Sequence, residues 1–178
     1  MHPLRSDHHC NEVNLIMSNA TVHSGRWSEK LPALGIELPP VATPAAAYLP
    51  ATQSGRYVYT SGQLPLVDGH ATVTGKVGKD VAVEEAAVAA RLCAVNGLAA
   101  VDALVGLDRI LKVVKVVGFV ASADGFSQQP QVINGASDLL IEVFGDAGRH
   151  ARSAIGVAEL PRGSAVEVEF VFELDLES

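Results

Sequence analysis

The stretch Ala151-Arg152-Ser153-Ala154-Ile155-Gly156-Val157-Ala158-Glu159-Leu160-Pro161, with its continuation Ala165-Val166-Glu167-Val168-Glu169-Phe170-Val171-Phe172, decides the fold. Both halves alternate with a period of two, and Pro161-Arg162-Gly163-Ser164 between them has turn composition. This predicts two antiparallel strands joined by a short loop. In the first strand Arg152, Ala154, Gly156 and Ala158 share a face, so one long cation stands among very small side chains with room beside it for a ligand. In the second, Val166, Val168, Phe170, Phe172 and Leu174 share one face, and Glu167, Glu169 and Glu173 the other. A turn centred on Arg162-Gly163 sets Arg152 opposite Glu173 and puts the arginine on the same side of the sheet as the three carboxylates. Arg152 and Glu167 are then about 20 Å apart along the strands. Within one chain they cannot touch one small substrate; either they are unrelated, or an oligomer brings Glu167 of one subunit to Arg152 of another.

Upstream, helix-like and strand-like stretches alternate. Val81 to Val105 reads as the main helix, with Glu84, Arg91 and Asp102 clustered, Glu85 and Asn96 beside them, and a polar sector of roughly 140°. So broad an apolar surface packs on a sheet, and Cys93 among its alanines reads as a small core residue. Ile110 to Ala121 is apolar on both faces apart from Lys112 and Lys115, which predicts a central strand covered on two sides. Val132 to Phe144 reads as a second helix. Gly55 to Gly62 suits a strand, Val67-Asp68-Gly69-His70 a turn, and Ser28 to Gly35 a short helix capped by Ser28. Pro44 to Ser54 forms an extended or turning arm that carries Tyr48. Ser61-Gly62-Gln63 has the composition of a bulge or of a backbone that comes close to a ligand. His150 reads as a structural histidine at a loop end. The predicted fold is α+β, with a single mainly antiparallel sheet and two helices on one face.

The 178 residues suit one domain, with residues 1–25 as a flexible N-terminal extension and 26–178 as the folded part. Met17 is a candidate start, and the His2, His8, His9 and Cys10 cluster lacks the second ligand pair that a metal site needs. A formal net charge of −7 argues against nucleic acid as a partner. With 48% apolar residues but no continuous apolar run of bilayer length, a second buried surface between subunits is expected rather than a membrane span. Two cysteines in unrelated settings fit a reducing, cytoplasmic compartment.

The run Ala-Arg-Ser-Ala-x-Gly-Val-x-x-Leu-Pro from Ala151, followed by Val166-Glu167-Val168-Glu169, resembles the C-terminal signature of the RidA (YjgF, reactive-intermediate deaminase) family, and Tyr59-Thr60-Ser61-Gly62-Gln63-Leu64-Pro65 resembles its N-terminal one. The likeness runs from about Pro44 to Leu174. It implies a chorismate-mutase-like fold, a homotrimer whose sheets form a barrel, and ligand clefts between neighbours. It also implies hydrolysis of 2-imino or enamino acids to 2-oxo acids and ammonia, with neither metal nor organic cofactor. By the same resemblance Arg152 holds the substrate carboxylate and Glu167 of the adjacent chain positions water. Ser61 and Gly62 line the cleft, Tyr48 shuts it, and Asn134 matches an asparagine at the start of the family's second helix. Ala154 stands where the family often carries cysteine, and Ser127-Gln128-Gln129-Pro130 lengthens the segment before Asn134, as in a longer, divergent subgroup.

Two other readings of the same residues stand beside this one. A trimer that uses Arg152 to hold a small carboxylic acid without turnover explains the cation equally well, and a structural pairing of Arg152 with Glu173 is the plain alternative. Ribonuclease activity is disfavoured by the acidic balance, and a serine hydrolase by the lack of a Gly-x-Ser-x-Gly elbow.

Overall fold

A computed structural model describes residues 26–41 and 47–175. The histidine and cysteine cluster of the N-terminus and the Met17 start lie outside the described residues. Chain order is α1 (Trp27–Ala33), β1 (Ala51–Ser54), β2 (Tyr57–Thr60), β3 (Leu66–Val67), β4 (His70–Ala71), α2 (Val83–Val105), β5 (Ile110–Ala121), α3 (Gln129–Phe144), β6 (Ala151–Val157) and β7 (Val166–Leu174). Five strands form the main sheet in the order β1-β2-β7-β5-β6, and β3 pairs with β4 in a small hairpin. All main-sheet pairs are antiparallel except β5 with β6. The predicted α+β class holds, with α1 as a third helix.

The predicted β6–β7 hairpin does not form, because β5 lies between the two strands, parallel to β6 and antiparallel to β7. Residues 158–165, with a 3-10 turn at Pro161–Gly163, pass over the end of β5, where the Ala121 N–H donates to the Ala165 carbonyl (2.9 Å). Period-two alternation reports which face a side chain takes and says nothing about which strand lies next to it. The doubly apolar run of β5 was the better guide, since such a strand sits between two others.

One face of the sheet is covered by α2 and α3. The even-numbered side chains of β7 from Val166 to Leu174 are buried there with Val116 and Val120 of β5. Small residues bring the layers together. A Cβ at Gly97 would lie 2.6 Å from the Phe170 ring, and one at Gly135 would lie 1.9 Å from the Ala87 carbonyl oxygen. By length and mean hydropathy alone α2 could cross a bilayer, contrary to the sequence expectation. In the fold its Ala86, Ala89, Ala90, Cys93 and Leu98 are core residues, and Arg91 on its polar side pairs with Glu142 of α3 at 2.7 Å.

Helix α1 closes the end of the core. Trp27 is buried, donates from Nε1 to the Ile110 carbonyl (2.8 Å) and meets the Phe144 ring edge-on at 5.2 Å between centroids. Ser28 does not cap this helix as expected; its N–H and hydroxyl both donate to the Asp108 carboxylate at 2.9 and 2.8 Å. The predicted Gly55 to Gly62 strand is the second half of a hairpin. Gly55 takes φ 58° in the turn, and β1 occupies the end of what was read as an arm. Helix α3 begins three residues before the predicted Val132, with Pro130 in its first turn, where a missing N–H costs nothing.

Candidate functional site

Arg152 sits on the edge strand β6 in register with Val116, whose side chain is in the core, so the guanidinium projects on the helix side of the sheet. There Nη1 donates to Asn134 Oδ1 (2.9 Å) and Ser137 Oγ (3.0 Å), both on α3. No carboxylate among the described residues lies within ion-pair distance of Arg152. Glu173, the predicted structural partner, is instead clamped by Arg56 at 2.9 Å and Lys112 at 3.1 Å. The cation is therefore held by neutral acceptors through Nη1, while Nε and Nη2 donate to no described residue. Along the same face Ala154 is half-buried against the core, and the Gln129 amide closes over Gly156, where a Cβ would lie 2.8 Å from Nε2.

Glu167 belongs to a second cluster. It pairs in register with Phe119, one step out of phase with Val116, so it projects from the open face of the sheet, opposite to Arg152. The predicted placement of Arg152 with the carboxylates on one side is thus corrected: odd positions of β7 and even positions of β6 take opposite faces once β5 separates them. Two strand spacings across and three residues along, the backbones at the two positions are roughly 14 Å apart.

Around Glu167 the other predicted residues converge. Gln63 exchanges both backbone hydrogen bonds with Val168 (2.8 and 3.0 Å), so Ser61-Gly62 runs directly beside the glutamate. A Cβ on Gly62 would fall 1.7 Å from Glu167 Oε1, so only glycine lets the carboxylate lie across that backbone. The Ser61 hydroxyl is committed to the Leu49 carbonyl (2.6 Å) and its N–H to the Pro50 carbonyl (2.9 Å), which ties down the segment bearing the exposed Tyr48. Burial, and then the neighbouring charge of Glu169, raise the Glu167 carboxyl above its ordinary value. A carboxyl so tuned exchanges protons nearer neutrality than a solvated one.

The structure therefore joins Arg152 with Asn134 and Ala154, and joins Glu167 with Ser61, Gly62 and the Tyr48 segment, but keeps the two groups apart within a chain. Sequence reasoning missed Ser137, which lies one helical turn after Asn134, a spacing that marks it only once β6 is known to face α3. Cys93 is fully buried beneath β7 and its thiol is pushed up by desolvation, then by Glu167, so it is no nucleophile. A separate open cavity of about 620 Å3 between Gly78 to Val83 and Asp124 to Gln128 contains none of these residues.

An α+β layer with a sheet open on one face, and at its edge an arginine that pairs with no carboxylate among the described residues, defines the class: a chorismate-mutase-like domain. A family model described as "YjgF/chorismate mutase-like, putative endoribonuclease" matches residues 28–174. Protein TCP17 of Trypanosoma cruzi is 46% identical over 158 residues, covering 88% of this chain and 99% of that protein. Among solved structures, the protein Atu1372 of Agrobacterium tumefaciens, of unknown function, is 47% identical with a TM-score of 0.77, covering 84% of this chain and 92% of that one. A "putative endoribonuclease" of Shewanella oneidensis is 34% identical with a TM-score of 0.81, over 84% of this chain and all of that one. The chain belongs to the RidA (YjgF) family.

Proposed function

We propose that this chain hydrolyses 2-imino and enamino acids to 2-oxo acids and ammonia, in clefts between the subunits of a homotrimer. The observation that carries the proposal is Arg152, a cation with no carboxylate partner among the described residues, aligned through Nη1 by Asn134 and Ser137. A guanidinium so held takes a carboxylate in a bidentate grip. With the carboxylate fixed, the adjacent C=N carbon has a set position, and a water held by the raised carboxylate of Glu167 attacks it. The water oxygen bonds to carbon while one water proton passes by way of Glu167 to the nitrogen, giving a 2-amino-2-hydroxy acid. The hydroxyl proton then passes to the nitrogen as the C–N bond breaks and the C=O bond forms, releasing ammonia and leaving the 2-oxo acid. An enamino acid enters the same path once a proton has moved from its nitrogen to its terminal carbon. No redox partner enters this balance.

The separation of the two clusters within one chain supports a shared site, with Glu167 supplied by a neighbour. The open sheet face supports the assembly. It carries Tyr57, Tyr59 and Ile155, between 37% and 46% exposed, and the half-buried Val117, Phe119 and Val171, with no helix over them. Such a surface is normally buried by a partner. The test is ammonia release from 2-iminopropionate or 2-aminoacrylate generated in place. Wild type accelerates it, and equal release by wild type and Arg152→Ala at the uncatalysed rate ends the proposal.

A second reading, a trimeric carrier of small carboxylates without turnover, is favoured by one observation. The Arg152 grip is complete within a single chain and does not need Glu167. It predicts pyruvate-dependent stabilisation that is lost in Arg152→Ala, with no acceleration of imine hydrolysis. The endoribonuclease in the family's description fits this chain poorly, because a net charge of −7 repels a polyphosphate backbone.

A further inference from the structure

Behind Arg152 stands a chain of hydrogen bonds whose direction is set by its far end. His150 Nδ1 lies 2.6 Å from the Gly148 carbonyl oxygen, which can only accept, so Nδ1 carries the proton. In the neutral ring Nε2 is then a bare acceptor, and Ser137 Oγ, 3.0 Å away, must donate to it. With its one proton spent, the Ser137 oxygen offers lone pairs to Arg152 Nη1. Each link thus dictates the next: Arg152 to Ser137, Ser137 to His150, His150 to Gly148. Ser137 is buried and His150 half-buried, so solvent does not readily replace either partner.

We propose that Ser137 and His150 are positioning residues that hold the Arg152 guanidinium in its carboxylate-gripping orientation, and that the grip requires His150 to be neutral. The inference deepens the imine-hydrolysis reading, on which its kinetic arm rests. Protonation of the ring would turn Nε2 into a donor, remove the acceptor for the Ser137 proton, and set a second cation beside Arg152. Burial first, and then the Arg152 charge, lower the His150 value below its ordinary 6.5, against the opposing pull of the Gly148 carbonyl. Other charges around the ring are engaged or turned away. Asp146 and Arg149 of the preceding turn pair with each other at 3.1 Å, Glu142 of α3 pairs with Arg91, and Asp138 of α3 is exposed. Lys115, in register with Ala151, donates to Ser153 on the other face.

The test combines three measurements on the full-length protein between pH 5 and 8. Ring 15N shifts of His150 in the wild type, with no ligand added, should show the Nδ1–H form at pH 7; a predominant Nε2–H or doubly protonated ring overturns the relay. Pyruvate Kd should weaken in the wild type towards the acid end of this range, and rise about five- to twentyfold at pH 7 in Ser137→Ala and His150→Phe. Ser137→Thr should regain most of the loss. With 2-iminopropionate the same variants should raise KM with kcat within about twofold, and His150→Phe should lose the acid rise in KM. Unchanged pyruvate Kd in Ser137→Ala, or an acid limb that survives in His150→Phe, overturns the proposal. If instead the wild type ignores 2-iminopropionate while the ring tautomer and pyruvate Kd follow the relay, the hydrolytic reading fails and the positioning role stands.

Discussion

Arg152 holds its charge against neutral oxygens, and this makes its replacement informative. Arg152→Lys keeps the charge but loses the planar fork, so KM for 2-iminopropionate should rise about ten- to a hundredfold, as expected for losing a charge-assisted hydrogen bond. Steady-state kinetics at saturating and limiting substrate check this. Glu167 makes a prediction in the opposite sense. Its raised carboxyl binds a proton more readily in the folded chain than in the unfolded one, so its contribution to stability is fully present below the ordinary value of 4.5 and is lost as pH rises through the raised folded value. Glu167→Gln should therefore raise Tm at pH 7 to 8 while abolishing turnover, and the Tm gain should vanish towards pH 4. A melting series across that range reads it. Arg152 was legible as a lone cation among the small side chains of β6, and Glu167, Ser61, Gly62 and Asn134 were named through the family resemblance. Ser137 was not, since a helical serine has no sequence mark until the strand that faces it is known.

At the level of elements, Gly62 and Gly97 serve different purposes. An alanine at Gly62 collides with the tip of a flexible side chain, so Gly62→Ala should displace the Glu167 carboxylate, cutting kcat by about a hundredfold while leaving Tm within a degree or two. An alanine at Gly97 meets the buried Phe170 ring, which has nowhere to move, so Gly97→Ala should cost about 1–3 kcal/mol by overpacking. In a chain of this length that is a Tm drop of about 3–10 °C. Calorimetry and turnover on the two variants separate the roles. The main helix and the central strand were readable from the chain because a 3.6-residue period and a doubly apolar run are properties of one segment. The pairing of β6 was not, because it depends on α3 returning the chain parallel to β5, and the 158–165 crossing has the same turn composition as a hairpin loop. That single error put Arg152 on the wrong face while leaving its neighbours along β6 correctly identified.

The whole molecule carries the Arg152 and Glu167 clusters on opposite faces of one sheet, and under the proposed function a neighbour's open face meets the edge of this one. The central claim is that Arg152 of one subunit works with Glu167 of another. It is tested most directly by mixing Arg152→Ala and Glu167→Gln chains, each inactive alone, by co-expression or by unfolding and refolding together. Random assembly into trimers should leave about one cleft in four with both native residues, and so restore about a quarter of the wild-type rate of ammonia release. Mixed assemblies that form but stay as inactive as either parent would contradict the account.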